Sequence, residues 1–243
     1  MIRLSERMSH LAVLVSEGMV LCDVGTDHGY LPIWLLQAGR IPKAYAMDIG
    51  EGPLERAKEH IRQCGLEAYI ETRRCDGLAG LMPKEADSIL IAGMGGGVML
   101  HILKDGDAVV RQAEELILQP QSEIAEVRKY LYEQGFEIDR EDIVEEDGKY
   151  YPMMHVRVHT KQEQGVPDEV SLSYGADLLA QKHPVLLEYV NRTVAQLQGI
   201  LRQLQKAEQT DAVLTRIGEI QKELTMAQAA QERCKEEKNH EMQ

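Results

Sequence analysis

Apolar positions along the chain follow two rhythms, and the change between them falls near residue 160. Before it, short apolar runs alternate with amphipathic stretches. The runs predict strands at Val20–Val24, Ala44–Asp48, Ala68–Thr72, Ser88–Ala92 and Leu116–Gln119. Helical spacing lies between them, at about Tyr30–Ala38, Pro53–Cys64, Val98–Lys104 and Glu123–Gln134, with one more amphipathic helix, Ser5–Ser16, ahead of the first strand. That helix is placed to cover one end of a cleft. Two longer extended runs, Glu137–Val144 and Lys149–Val158, flank the turn Glu146-Asp147-Gly148 and predict a closing hairpin. Five strand–helix units with a terminal hairpin predict an α/β domain with a mostly parallel sheet and an antiparallel edge.

Residues 160–170 are polar, contain Gly165 and Pro167, and read as a linker between a first domain, 1–160, and a second region, 161–243. Beyond Pro184 the apolar residues Leu187, Val190, Val194, Leu197, Leu201 and Leu204 step by three and four. After a break at Gln209-Thr210-Asp211, Val213, Ile217, Ile220, Leu224 and Ala227 repeat the pattern. Two heptad seams with a very short connection predict an antiparallel coiled-coil hairpin, whose first arm, Pro184 to Glu208, would be roughly 37 Å long.

Chemistry concentrates where the predicted strands end. The first runs into Asp23-Val-Gly-Thr-Asp-His-Gly-Tyr-Leu31: a buried strand, a tight turn at Gly25 and Gly29, and a helix start. Such a turn lets a ligand approach bare backbone. Asp27 stands where a dinucleotide loop would want glycine, and it would crowd a pyrophosphate and repel it. It suits a ligand with no phosphate and a positive centre, such as S-adenosylmethionine. The second strand ends at Asp48-Ile49, an acid able to take both hydroxyls of a ribose, or else to cap the helix starting near Pro53. The third is followed by Asp76-Gly77, an acceptor for an adenine amino group or a plain turn. The fourth ends Ala92-Gly-Met-Gly-Gly-Gly97, nearly bare backbone that would floor an acceptor pocket. At the fifth, Gln119 and Gln121 carry amides able to read a base edge, and Tyr151 in the hairpin offers a stacking ring or simple packing.

Composition narrows the setting. The chain has 243 residues and a formal net charge of −13, of which −10 falls in residues 1–160 and −3 in the rest. That balance excludes a simple basic nucleic-acid binder and leaves room only for a local positive patch, with Arg3, Arg7, Arg40, Lys43, Arg73 and Arg74 as candidates. Cys22, Cys64, Cys75 and Cys234 show no metal or redox spacing, so reduced structural thiols and no metal site are expected. The charged start and the lack of an apolar stretch of membrane length point to the cytoplasm.

Taken together, Asp23-Val-Gly-Thr-Asp-His-Gly-Tyr-Leu-Pro32, Asp48-Ile with Gly52-Pro53-Leu54, Asp76-Gly77-Leu78, Ile91-Ala-Gly-Met-Gly-Gly96 and Leu118-Gln-Pro-Gln121 resemble the bacterial tRNA (adenine(22)-N1)-methyltransferases. The likeness runs from Leu4-Ser5-Glu6-Arg7 to about Val158, and the C-terminal hairpin matches in architecture only. It implies a class I, Rossmann-like methyltransferase fold, S-adenosylmethionine as methyl donor and tRNA as substrate. Carried over, Asp23, Gly25 and Gly29 shape the methionine side of the cofactor pocket, and Thr26, His28 and Tyr30 join them in binding the cofactor, with substrate contact the alternative for His28. Asp48, Ile49 and Pro53 lie by its ribose, and Asp76 and Gly77 border the adenine. Gly93, Met94 and Gly95 stand where many amino-methyltransferases carry an Asn/Asp-Pro-Pro-aromatic motif. Gly93 and Gly95 are then expected at the cofactor, and Asp27 and Met94 at the reacting groups. Arg7, Gln119, Gln121 and Tyr151 are expected on the RNA.

The cofactor motifs alone would equally serve a methyltransferase of small molecules or proteins. A non-enzymatic coiled-coil scaffold is a second alternative, opposed by the complete set of strand-end acids. A nicotinamide dehydrogenase is a third, opposed by Asp27 and by the lack of a Tyr-x-x-x-Lys pair.

Overall fold

The computed structural model describes residues 2–159, 165–208 and 210–235. It contains two compact units, Met1–Val166 and Pro167–Gln243. In the first, β1 (Leu21–Val24), β2 (Ala44–Asp48), β3 (Ile70–Arg74), β4 (Ser88–Met94) and β5 (Glu115–Pro120) run parallel, and β6 (Glu137–Glu146) and β7 (Lys149–Arg157) close the sheet antiparallel. The strand order is β3-β2-β1-β4-β5-β7-β6, the doubly wound arrangement with an antiparallel edge that the sequence predicts.

The central strands are buried on both faces, as crossover helices on each side require. Those helices are α2 (Tyr30–Gln37), α3 (Glu51–Gln63), α4 (Gly96–Asp105) and α6 (Ile124–Glu133), joined by a one-turn α5 (Asp107–Val110). Strand order reverses between β1 and its neighbours β2 and β4. In open α/β sheets that switch point opens a crevice beyond the carboxyl ends of the strands. The first helix, α1 (Glu6–Leu14), packs on β6 and β7 and is capped by Ser5.

Two expectations shift. The third strand starts two residues later than Ala68 because Tyr69 is still held in the turn that follows α3, its N–H on the Leu66 carbonyl. The third helix starts at Glu51, leaving Pro53 within its first turn, where proline removes no intrahelical hydrogen bond.

In the second unit, α9 (Pro184–Leu204) and α10 (Asp211–Lys235) form the hairpin. The Gln231 amide donates to Asn191 Oδ1 at 2.6 Å, pairing the end of one helix with the beginning of the other, as antiparallel packing demands. The buried seam uses Leu186, Val190, Val194 and Leu197 against Ile220, Ala227 and Ala230, so Leu186 and not Leu187 is its first member. The first arm stops at Leu204, short of Glu208, and Gln209 lies outside the described residues.

Two short helices not anticipated from the sequence, α7 (Glu169–Tyr174) and α8 (Ala176–Gln181), pack on α10. Asp168 starts α7 by accepting from the N–H groups of Val170 and Ser171, and it pairs with Arg233. The predicted linker therefore runs into a helix at its C-terminal end, and its residues 160–164 lie outside those described. No helix among the described residues is long and apolar enough to cross a membrane.

Candidate active site

Two cavities meet at Gly25, at the carboxyl ends of the central strands. The larger, about 410 Å³, is lined by Asp23, Gly25, Thr26, Asp27, His28, Gly29 and Tyr30 on one side. Arg7, Gly93 and Gln121 line its other side. The smaller, about 110 Å³, lies among Asp48, Ile49, Asp76, Gly77, Met94 and Val98.

The turn between them is set by backbone geometry. Gly25 and Gly29 have φ of 77° and 68°, a left-handed conformation that side chains disfavour. The N–H groups of Gly25 and Thr26 both donate to the Met47 carbonyl, at 2.8 and 2.9 Å, which ties the turn to β2. A Cβ on Gly25 would meet Met94 Cε at 2.1 Å, so the methionine lies directly over the bare backbone and divides one cavity from the other.

The acids differ in their surroundings. Asp23 is buried, and burial pushes its carboxyl up to about 6, with the charge of Asp48 adding to the rise. The buried Thr26 hydroxyl beside it opposes that rise. Asp48 accepts from the Gly50 N–H at 2.6 Å through one oxygen, and it turns the chain into α3 without serving as its N-cap, which is Gly50. Asp27 does not cap α2, whose N-cap is Gly29. Its side chain is exposed and held at 2.7 Å by Arg56 and at 3.2 Å by His28. Ile49 and Val98, 63% and 56% exposed, stand at the smaller cavity as uncovered apolar walls.

On the opposite side the amides divide their work. Gln119 is fully buried, and its oxygen accepts from Arg7 at 2.9 Å and from the Gly93 N–H at 3.1 Å, while its amide donates to the Pro120 carbonyl. The expected direct contact of Gln119 with RNA is therefore corrected: it is a strut that fixes Arg7 to the β4 turn. Tyr151 is half-buried against the core, with the Arg7 guanidinium 5.3 Å from its ring centre. Gln121 and Arg7 do reach the cavity.

Pro53 and Gly95 line neither cavity. Pro53 packs on Gly50, and Gly95 is the N-cap of α4, close to Ser122. The candidate phosphate patch is engaged within the fold: Arg40 binds the Val15 carbonyl, Arg73 pairs with Glu85 and Glu71, Lys43 and Arg73 both lie over the Tyr45 ring, and Arg74 pairs with Glu51. Sequence reasoning missed Met8 and Leu11 in the larger cavity and Cys75 in the smaller. It also missed Arg56 and His60 of α3, which hold the glycine turn from outside.

A methyltransferase-domain family model matches residues 4–154, most of the first unit. The tRNA (adenine(22)-N(1))-methyltransferase of Bacillus subtilis (strain 168) is 34% identical over 214 residues, covering 86% of this chain and 89% of that protein. The chain belongs to this methyltransferase family. Streptococcus pneumoniae Sp1610, solved with S-adenosyl-L-methionine, superposes with a TM-score of 0.83 at 30% identity over 94% of this chain and all of that one. M. capricolum TrmK, solved with the cofactor product S-adenosyl-homocysteine, does so with 0.83 at 25% identity over 96% and 99%. The likeness to both structures extends through the helical unit as well as the sheet.

Proposed function

We propose that the protein transfers a methyl group from S-adenosylmethionine to N1 of adenine 22 in tRNA, in the cytoplasm. The observation that carries this reading is the pair of cavities joined across Gly25, in a chain whose family relatives carry that activity and that cofactor. The cavities fit the cofactor in shape and in charge. Asp23, a buried carboxyl held up by desolvation, gains from a cationic ammonium placed beside it. The free oxygen of Asp48 suits a ribose hydroxyl, and Ile49 and Val98 suit the two faces of an adenine.

The cofactor supplies a methyl group on a sulfonium. The chain's residues supply alignment, which is worth several kcal/mol of barrier. Adenine N1 carries an in-plane lone pair, so no base must first remove a proton from it. Arg7, fixed by Gln119 and Tyr151, and Gln121 bound the substrate side of the larger cavity. Met94 sits at the junction where donor and acceptor meet. The methylated base is cationic, and Asp27 is the carboxylate available to stabilise it or to take a proton from N6. The target base leaves its stack to enter, at a cost of a few kcal/mol. We assign the helical unit, residues 167–243, to holding the tRNA body.

Tritiated-methyl transfer to unmodified tRNA, beside calorimetric titration of the cofactor, tests this with four proteins. The full chain methylates. Asp48→Ala weakens cofactor binding by about 1.5–3 kcal/mol, the size of a charge-assisted hydrogen bond. Asp27→Ala lowers the single-turnover rate more than it weakens the cofactor. A chain ending at Val166 keeps the cofactor and loses most tRNA affinity. No transfer to tRNA by the full chain, or unchanged cofactor affinity in Asp48→Ala, overturns the reading.

A further inference from the structure

Three rings gather beside the larger cavity, and the reaction described above does not use them as a group. His28 and Tyr30, which line it, have ring centres 5.0 Å apart and planes within 10°. His60, on α3 and outside the cavity lining, lies 4.9 Å from Tyr30 with planes 27° apart, and 5.5 Å from His28. All three are half-buried.

The backbone is built to bring them together. Gly29, with φ of 68°, turns the chain into α2 with its backbone against Ala57 of α3. His60 Nδ1 then reaches the His28 carbonyl at 3.0 Å. One polar atom of the group is left over: His28 Nδ1 is buried without a hydrogen-bond partner, although Nε2 faces Asp27.

We propose that this cluster is a stacking ledge for the nucleobase next to the adenine being methylated, with His60 as its outer member. This inference rests on tRNA being the substrate. Two observations favour an aromatic, nucleobase contact over a phosphate contact. First, the cations around the ledge are already spent: Arg56 on Asp27, Lys58 on Glu55, Arg62 on Glu59 and Arg74 on Glu51. Second, the chain carries a net charge of −13, so long-range attraction to a polyanion is weak and contacts insensitive to charge gain in importance. Stacking is such a contact, because every base presents a π-face. A base drawn out of a tRNA stack also leaves its neighbour without a partner, and a ring surface at the cavity mouth replaces that partner.

His60 gives the test because it lines neither cavity, and a pair of variants separates its ring from its hydrogen bond to the glycine turn. His60→Ala removes ring and hydrogen bond together, while His60→Phe keeps the ring and loses only the hydrogen bond to His28. In the full chain, His60→Ala is expected to raise KM for tRNA about tenfold, within the range of one base–aromatic stack. Any loss of cofactor affinity should be shared by His60→Phe, which also lacks the hydrogen bond to the glycine turn, so KM for tRNA is compared at saturating cofactor. His60→Phe is expected to restore KM to within about twofold. Substitution of 2-aminopurine at the nucleotide on either side of the target gives a direct readout. On one side its fluorescence is quenched on binding to the wild type and to His60→Phe, and not to His60→Ala. If Ala and Phe are equally impaired, the hydrogen bond to His28 is the function of His60 and the ledge is overturned. Wild-type KM in both variants overturns it as well. Failure of the wild type to methylate tRNA at all refutes the substrate assignment instead.

Discussion

The two ends of the same sheet treat buried polar groups in opposite ways. At the amino ends of β4 and β5, His155 is buried between Glu115, at 2.8 Å, and Asp139, which also pairs with Arg157. Glu115 in addition accepts from the Ser16 N–H at 3.0 Å, and Asp87 accepts from Val20. A register shift in β6 between Ile138 and Arg140 accompanies Asp139's place in this network. At the carboxyl ends, Asp23 is buried and raised despite the Thr26 hydroxyl beside it, His28 Nδ1 has no partner, and Ile49 and Val98 are bare. The amino end pairs its charges with one another, although Glu115, Asp139 and His155 also border an open cavity of about 520 Å³. The other leaves them for a ligand, and the fold bears the cost until one arrives.

Breaking the closed end should have the largest effect. His155→Ala leaves two carboxylates buried without their shared partner, and removal of one member of a buried ionic set costs about 3–5 kcal/mol. Urea unfolding of the apo protein should show that loss as a lower midpoint. The pH dependence has a definite sign. Burial lowers the His155 pKa, but the hydrogen bonds to Glu115 and Asp139 outweigh it and the net shift is upward. Its contribution is therefore complete below the ordinary histidine value and is lost as pH rises through the raised one.

The open end should respond in the other direction. The folded chain holds the Asp23 pKa at about 6, above the usual aspartate value, so the ionised carboxylate costs stability at neutral pH, and that cost disappears as pH falls toward 4. Asp23→Asn should raise apo stability at pH 7 by on the order of 2 kcal/mol, the equivalent of roughly two pKa units. It should weaken S-adenosylmethionine at the same time. In the wild type, calorimetry should show cofactor affinity falling below about pH 6, by up to about tenfold per unit, and Asp23→Asn should lack that slope. A destabilised Asp23→Asn protein would mean that the acid is structural, and the contrast between the two ends would fail.

The sequence revealed the open end more readily than the closed one, for a physical reason. Strand-end glycines and acids are local signals: φ above zero at Gly25 and a carboxylate after each strand can be read within a few residues. His155, Glu115 and Asp139 come from three strands, and no local spacing joins them. The same limit hid Arg56 and His60, polar residues of α3 that read as a solvated face until α2 is packed against it. Edge strand β3 was misplaced because only Ile70 in it is buried, so Glu71, Arg73 and Arg74 gave no apolar signal. In the second unit the long seam was legible, whereas six-residue helices such as α7 and α8 fall below the length at which periodicity speaks.

The glycine run after β4 supplies the finest test, since its members divide between the cavity and ordinary packing. Gly93, with φ of 77°, lies against Arg7 and Gln121 in the cavity wall, where a Cβ would stand 3.6 and 3.8 Å from them. Gly96 instead donates to the Ser122 carbonyl at 3.1 Å, and a Cβ there would stand 2.4 Å from that same backbone oxygen. Gly97, one residue on, has ordinary helical φ and would meet only the flexible Glu123 carboxylate, at 3.3 Å. Gly96→Ala should thus cost about 1–3 kcal/mol, as overpacking against a fixed backbone does. Gly97→Ala should be neutral or stabilising by about 0.5 kcal/mol, because alanine restricts the unfolded chain and the carboxylate can move aside. Thermal unfolding of the two variants measures the difference. A similar loss in both would mean that the α4 N-terminus cannot adjust, and that the bare backbone serves the open end along its whole length.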